Sequence, residues 1–287
     1  MKTSSETWIV IPVHNRKRLT LACLDSLAGQ SFSDFAVVVV DDGSTDGTSE
    51  AIWERFPQVH LIRGSGDLWW TRATNLGVLH ALERGAARIV TLNDDLECAP
   101  DCMERLVEAA TSHPNTLLGC AACDIANGRV IHQGTFVDWK SARFDGPPQP
   151  TGSDLVEVSH LPGRGMLVPT GVFRQIGIFD AKGLPHYGAD YDFSLRAKAA
   201  GFEVFCAANA RIYSHLEESG ATKLFARRSL RNYLRHLFGI KGGGNLAVFT
   251  RLAWRHCPRR CLASFLARGL AARLGGYPLA WMREWLH

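Results

Sequence analysis

The sequence predicts an α/β chain with a mostly parallel central sheet flanked by helices, followed by a basic, mostly helical C-terminal extension. Three observations carry this expectation. Short apolar, β-branched runs alternate with helix-period segments through residues 8–95, the pattern of a parallel sheet with crossover helices. Three of those runs stop at polar or acidic clusters, His14-Asn15-Arg16, Asp41-Asp42 and Asp94-Asp95. The charge is also divided: residues 219–287 hold 13 Lys and Arg against one acidic residue, a formal +12. The remaining 19 basic and 27 acidic residues leave the body at −8.

In order along the chain, Trp8-Ile-Val-Ile-Pro-Val13 is a buried strand that delivers a polar loop. Leu21, Leu24 and Leu27, closed by Gly29, mark a helix. Phe35–Val40 is a second buried strand, ending at Asp41-Asp42-Gly43-Ser44. A helix over Ser49–Phe56, a strand over Val59–Ile62, a helix over Thr71–Arg84 and a strand over Ala87–Leu92 follow. Pro100–His113 reads as a helix and Pro147-Pro148-Gln149-Pro150 as an exposed loop. Candidate strands lie in His160–Pro169 and Phe202–Tyr213, with a helix over Tyr191–Gly201 between them. The division expected is a catalytic domain over 1–220 and the extension over 221–287.

Length and composition restrict the class. At 287 residues, 46% hydrophobic and 21% charged, the chain is globular rather than fibrous or disordered. No apolar stretch near the C-terminus is long enough to span a bilayer. The polar start, Met1–Thr7, lacks the layout of a signal peptide, so a cytoplasmic chain with eight reduced cysteines is expected.

Ligands of open α/β sheets bind beyond the carboxyl ends of the strands, where the three polar clusters would converge. Asp42 in an Asp-Gly-Ser sequence is ordinary turn chemistry when taken alone. Asp94 and Asp95 are harder to dismiss, because adjacent carboxylates at the end of an apolar strand need a cation or donors. A divalent ion with phosphate oxygens would meet that need.

The ordered motifs IVIPVHNR (9–16), VVVDDGSTDGT (38–48), TRATNLG (71–77), TLNDDLECAP (91–100), LPGRGMLVP (161–169), GADYDFSLRAKAAGF (188–202) and YSHLEESG (213–220) resemble glycosyltransferase family 2. These are inverting, nucleotide-sugar enzymes of GT-A fold, and Asp67-Leu-Trp-Trp-Thr71 is similar to bacterial members that build cell-surface polysaccharides.

The resemblance implies roles. Pro12, His14 and Arg16 line the nucleotide pocket, Asp42 contacts the base and Ser44 lies beside it. Asp67, Arg72 and Asn75 shape the ribose or donor-sugar site. Asn93-Asp94-Asp95 takes the place of the acidic metal motif, with Asn93 where an acidic residue is usual. Asp95 and His215 are then the metal ligands and Asp94 a further ligand or sugar contact, for Mn²⁺ or Mg²⁺. Asp190 is the catalytic base; Ala189 stands where a Glu is common, and Asp192 is held in reserve. Asp192 has a second reading as the cap of a helix beginning near Phe193. Gly165 lets backbone approach the donor or serves a tight turn, and Arg164 meets a phosphate or an anionic acceptor.

Two motifs are set aside. Gly64-Ser-Gly66 lacks the third glycine of a dinucleotide fingerprint. Cys98, Cys102, Cys120 and Cys123 have loose zinc-like spacing, but two of them lie three apart on one predicted strand and so face opposite sides.

In the extension, Leu230, Leu234, Leu237 and Phe238 share one face of a 223–239 helix, and Arg228, Arg231 and Arg235 share another. Such a helix rests on an anionic membrane, with Trp254, Trp281 and Trp285 as interfacial anchors, or packs on the catalytic domain with its basic face solvated. No motif supports nucleic-acid binding.

The expected function is inverting transfer of a sugar from a UDP-, dTDP- or GDP-linked donor to a glycan or lipid-linked saccharide. The enzyme would be cytoplasmic and peripheral on the inner face of the membrane. The alternatives are a sugar-phosphate nucleotidyltransferase, whose Gly-rich opening is missing at Val13-His14-Asn15-Arg16, and a non-catalytic nucleotide-sugar or anionic-surface binding module.

Overall fold

The computed structural model describes residues 6–146, 154–215 and 229–285. The expected loop at Pro147–Pro150, the 221–228 start of the extension and the side chains of Trp281 and Trp285 lie outside the described residues.

The first half alternates as the sequence predicts. Strands β1 (Thr7–Val13), β2 (Phe35–Asp41), β3 (His60–Arg63) and β4 (Arg88–Thr91) are separated by helices α1 (Lys17–Ala28), α2 (Thr48–Arg55) and α3 (Trp69–Glu83). They pair in parallel in the order β3-β2-β1-β4, with Val13 opposite Asp41 and Val10 opposite Thr91.

Then come β5 (Leu96–Cys98), α4 (Cys102–Ser112), β6 (Thr116–Asp124), β7 (Val130–His132), β8 (Phe136–Asp138), β9 (Arg143–Asp145), β10 (Leu155–Glu157) and β11 (Met166–Pro169). Helices α5 (Thr170–Ile176) and α6 (Ala189–Ala199) lead to the long strand β12 (Glu203–Ser214). Strand β11 enters antiparallel between β4 and β6, and β12 lies parallel to β6. Strand β10 closes that edge, and β5 and β7 add to β12 and β6. The result is a mixed, mostly parallel ten-stranded sheet; β8 and β9 form a separate hairpin.

Both faces of the central strands are covered, so their residues divide by parity rather than into inside and outside. Ile9, Ile11 and Val13 of β1 meet Leu24, Leu27, Met103 and Leu106 of α1 and α4. Trp8 and Val10 turn to the other face, among Ala73, Val78, Ala81 and Phe193 of α3 and α6. Burying each large aliphatic side chain contributes about 1.5–3 kcal/mol. Helix α3 crosses β1 at Gly77, where a Cβ would collide with Cγ1 of Val10, so close packing there requires glycine.

The extension contributes α7 (Leu230–Phe238), α8 (Leu246–His256) and α9 (Arg259–Trp285). Phe249, Ala253, Cys257, Cys261 and Phe265 form its own buried cluster, with Phe249 stacked on Phe265 at 5.4 Å. Helix α8 is packed on the α/β body, with Arg255 and His256 paired to Asp192 of α6. On α7, Leu237 is buried, whereas Leu230, Leu234 and Phe238 stay 63%, 47% and 65% exposed. The predicted apolar face is therefore split: one residue anchors the helix and three face outward. No helix among the described residues is long and apolar enough to cross a membrane. All eight cysteines are free and buried, with Cys102 and Cys120 3.8 Å apart at their sulfurs.

Candidate active site

Because β2, β1 and β4 are adjacent and parallel, the three polar clusters meet at one rim. Arg16, just beyond β1, donates from Nη1 to Asp95 Oδ2 at 2.8 Å and to Asp94 Oδ1 at 3.2 Å. Asp94 is almost fully buried, and that burial is the chief reason its pKa rises to about 7. Arg16 opposes the rise and the charge of Asp95 adds to it. Two carboxylates share a single guanidinium here, which leaves the pair electrostatically short of positive charge.

Asp42 is more committed than the sequence suggests. Its Oδ1 accepts from the Gly66 N–H at 2.7 Å, and its Oδ2 accepts from Leu68 N–H at 2.9 Å and Trp69 N–H at 3.1 Å. The carboxylate thus ties the loop before α3 to the end of β2, and three of its roughly four lone-pair positions are in use. His14 donates from Nδ1 to the Asp42 carbonyl at 2.6 Å, which leaves Nε2 to accept from Asn15 Nδ2 at 3.1 Å. Asn15 sits at φ +52°, a conformation that Asn tolerates, and pairs its N–H with Ser44 Oγ at 2.8 Å. Asp41 accepts from Ser44 N–H at 2.9 Å and from the Ser49 hydroxyl.

Asp190 opens α6 and is half-buried. Its Oδ2 accepts from Gly163 N–H at 2.8 Å and its Oδ1 from Tyr191 N–H at 3.0 Å. Burial raises its pKa, against the effect of these backbone donors. Over Gly163 lies the indole of Trp70, with which any Cβ at that position would collide. The same indole donates from Nε1 to Asn93 Oδ1 at 3.0 Å. Trp70 therefore joins the Asn93-Asp94-Asp95 turn to the peptide that holds Asp190, a role the sequence did not disclose.

Asp192 has a different environment. It is 0% exposed and accepts from Arg196 Nε at 2.8 Å, His256 Nε2 at 2.9 Å and Arg255 Nη1 at 3.1 Å. Burial alone would raise its pKa, but His256, Arg196 and Arg255 outweigh that and hold it down at about 2. Arg255 also pairs with Asp180 at 2.7 Å. The capping expectation is corrected by the helix start: α6 begins at Ala189, so Asp192 lies inside it and anchors the extension.

The remaining candidates are spread around the rim. Pro12 is buried in β1 opposite Val40. Asn75 is buried and spends both ends of its amide on the backbone of Phe179, at 2.9 and 3.1 Å. Asp67 accepts from the Ser65 hydroxyl, and both Asp67 and Arg72 are exposed. Gly165, at φ +72°, donates to the Thr91 carbonyl and accepts from Cys120 N–H, each at 2.8 Å, in a turn between β4 and β6.

For a metal, the donor chemistry is suitable. Ser214 of β12 pairs with Leu96 of β5, so the register continued by one residue sets the backbone of His215 opposite that of Asp95. A mixed set of imidazole and carboxylate fits Mn²⁺ or Mg²⁺ when phosphate oxygens complete the shell. His215 is oriented by Glu97, 2.9 Å from Nε2, another residue for which the sequence motif suggested no role. Among the described residues no three His, Cys, Asp or Glu side chains are gathered at ligand distance.

The mostly parallel sheet flanked by helices is the GT-A type of α/β fold, and solved structures share it. TarS of S. aureus in complex with UDP-GlcNAc aligns with TM-score 0.65 at 16% identity, over 96% of this chain and 75% of that one. GalNAc-T7 with UDP, GalNAc and Mn²⁺ aligns with TM-score 0.61 at 16% identity, over 90% and 52%. The model of glycosyl transferase family 2 matches residues 8–168, and the chain belongs to that family.

Curated relatives agree. An O-antigen biosynthesis protein, RfbC of Myxococcus xanthus, is 25% identical over 72% of this chain, which spans 17% of that protein's length. An N-acetylglucosaminyl-diphospho-decaprenol L-rhamnosyltransferase of Mycobacterium tuberculosis is 24% identical over 68% of this chain and 71% of its own. A PGL/p-HBAD biosynthesis glycosyltransferase of Mycobacterium bovis is 28% identical over 66% and 68%.

Proposed function

We propose that the protein transfers a sugar, with inversion, from a nucleoside-diphosphate donor (UDP-, dTDP- or GDP-linked) to a hydroxyl of a lipid-linked saccharide, as a step in building a surface polysaccharide. The observation that carries this reading is Asp190: a half-buried carboxylate with raised pKa, fixed by two backbone N–H groups and joined through Gly163 and Trp70 to the Asn93-Asp94-Asp95 turn. Each Asp190 oxygen keeps a free lone pair, so the group can take a proton while staying aimed.

In the reaction, the acceptor hydroxyl gives its proton to Asp190 as its oxygen bonds to the anomeric carbon. The bond from that carbon to the diphosphate breaks on the opposite face, and the electron pair leaves with the nucleoside diphosphate. Arg16 pairs with Asp94 and Asp95 in the ligand-free protein, and would turn to the departing diphosphate once a cation meets those carboxylates. Asp95 and His215, with Asp94 behind them, would hold a divalent cation, which when bound stabilises the leaving diphosphate. Asp42, His14, Ser44 and Pro12 form the floor of the nucleotide pocket, and Asp67, Arg72, Asn75 and Gly165 its flank. Asp192 is closed to solvent with both oxygens engaged, which favours Asp190 as the base.

The membrane reading rests on α7. Leu230, Leu234 and Phe238 project from one face beside Arg231 and Arg235, chemistry that suits an anionic bilayer carrying the acceptor.

The test is transfer from UDP-, dTDP- and GDP-sugars with Mn²⁺, following nucleotide release and product together. Asp190→Asn should lower turnover by about 10²- to 10⁴-fold while UDP binding survives. Full turnover in that variant would rule out Asp190 as the base, and an active-site-competent protein with no transfer from any donor would favour the binding-module alternative.

A further inference from the structure

Resting on the transferase reading above, we propose that Trp69, His186 and Lys241 form a subsite for a phosphorylated saccharide, with the sugar against the Trp69 indole and the phosphate at Lys241. The first observation is conformational. Trp69 sits at φ +58°, a left-handed backbone that bulky side chains rarely adopt. Its N–H, together with those of Gly66 and Leu68, is held by the Asp42 carboxylate. The chain thus commits a buried carboxylate to keeping a large aromatic ring in place. That ring is nevertheless 37% exposed, so it has not been put there to fill the core.

The second observation is what surrounds the ring. Lys241 Nζ lies 5.5 Å from the ring centroid, and His186 meets the indole edge-on at 6.1 Å. Among the described residues, His186 Nδ1 is buried without a hydrogen-bond partner. Burial lowers the pKa of His186 to about 4, with the charges of Lys241 and Arg16 adding to the fall, so the ring is neutral. His186 is followed by Tyr187, whose ring is 4.7 Å away, and the same short segment leads into Asp190.

Lys241 comes from the extension, in a turn fixed by Asn245 Nδ2 donating to the Gly239 carbonyl at 2.9 Å. The contact with Trp69 is not needed to dock the extension. Asp192 and Asp180 already clamp Arg255 and His256, and Phe265 packs against Trp139 and Phe144 as a separate apolar anchor. An exposed lysine over a half-open indole is instead a recognition surface. The C–H face of a pyranose is apolar and lies flat on an aromatic ring, while a phosphate substituent seeks a cation.

The experiment uses the full chain and saturation-transfer NMR titrations with glucose 1-phosphate, glucose and inorganic phosphate, and calorimetry with UDP, dTDP and GDP on the same samples. Glucose 1-phosphate should bind more tightly than glucose or phosphate, with its ring protons receiving the transfer. Trp69→Ala should weaken it about tenfold and Trp69→Phe much less. Lys241→Ala, a change at an exposed side chain, should reduce glucose 1-phosphate to the level of glucose. UDP affinity should stay within about twofold throughout. Unchanged glucose 1-phosphate binding in Trp69→Ala and Lys241→Ala would overturn the subsite, as would phosphate binding equal to that of the sugar phosphate. An equal loss of UDP affinity would also overturn it, because the residues would then belong to the donor pocket. Failure of the unaltered protein to bind any of UDP, dTDP and GDP would count against the transferase reading itself, whereas nucleotide binding without sugar-phosphate binding would overturn this subsite alone.

Discussion

Trp70 donates its indole N–H to the side-chain oxygen of Asn93, 3.0 Å away, and so joins the turn after β4 to the segment that aims Asp190. Asn93 is the position at which the acidic motif departs from the family pattern. In this chain its amide oxygen serves as an acceptor for a neighbour rather than as a further charge beside Asp94.

Trp70→Phe removes the donor together with the outer indole atoms, Cζ2 and Cη2, that lie over Gly163. Turnover should fall by about 10-fold with donor affinity little changed, because a small displacement of the base costs rate before binding. A fall in donor affinity with unchanged turnover would show that Trp70 serves the donor instead.

Asp94 makes stability depend on pH in the ligand-free protein. Its folded pKa, about 7, lies above its unfolded value near 4, so the folded state binds more protons between these limits. The Asp94 contribution is therefore most favourable below about pH 4 and declines as pH rises to about 7. Asp94→Asn should flatten this part of the profile and raise the melting temperature at pH 8. Thermal melts across the range decide it; a variant that melts lower than the parent at pH 8 contradicts the assignment.

Asp192 has the opposite sign. Its folded pKa of about 2 lies below the unfolded value, so its contribution is present above about pH 4 and is lost as pH falls through about 2. Asp192→Asn leaves Arg196, Arg255 and His256 without their shared carboxylate, and should cost about 3–5 kcal/mol. Chemical denaturation measures the loss, and limited proteolysis should find the extension newly accessible.

Asp42→Ala should reduce UDP affinity by about tenfold or more, because the loop through Gly66, Leu68 and Trp69 loses its anchor. Asp95→Ala should reduce UDP affinity only when Mn²⁺ is present. Calorimetry with and without the ion separates the two, and equal losses in both conditions for Asp95→Ala would remove it from the metal site.

Leu230→Ser with Phe238→Ser should weaken binding to vesicles containing phosphatidylglycerol while leaving the melting temperature unchanged, since both side chains are exposed. Cosedimentation at low and high salt reads the effect. Undiminished binding would shift the interaction to the arginines alone.

The sheet was legible because alternation of short apolar runs with helix-period segments is a local signal, and β1–β4 with their helices occur where it places them. The rim was legible for the same reason: a polar cluster after a buried strand has to emerge at the strand's end. The three-residue strands β5, β7, β8, β9 and β10 are too short to show a period. Roles defined by distant partners were equally hidden. Asp192 meets Arg255 and His256 from 63 and 64 residues away, Asn75 meets Phe179 from 104, and Glu97 meets His215 from 118. No window of sequence contains both members of these pairs. Sequence alone therefore leaves Asp192 between a reserve base and a cap, and shows neither its clamp on the extension nor the hold of Asn75 on the Phe179 backbone.

The clamp on Asp192 sets a condition for building hybrid transferases from this scaffold. The residue that receives the extension and the residue proposed as base are two positions apart in the first turn of one helix. Exchanging the C-terminal segment with that of a relative would strand a buried negative charge next to Asp190 unless its counterions travel with it. Asp180, Asp192, Arg255 and His256 must therefore be transplanted as a set, and a junction placed between residues 215 and 229 joins functional parts only when both sides of that set match.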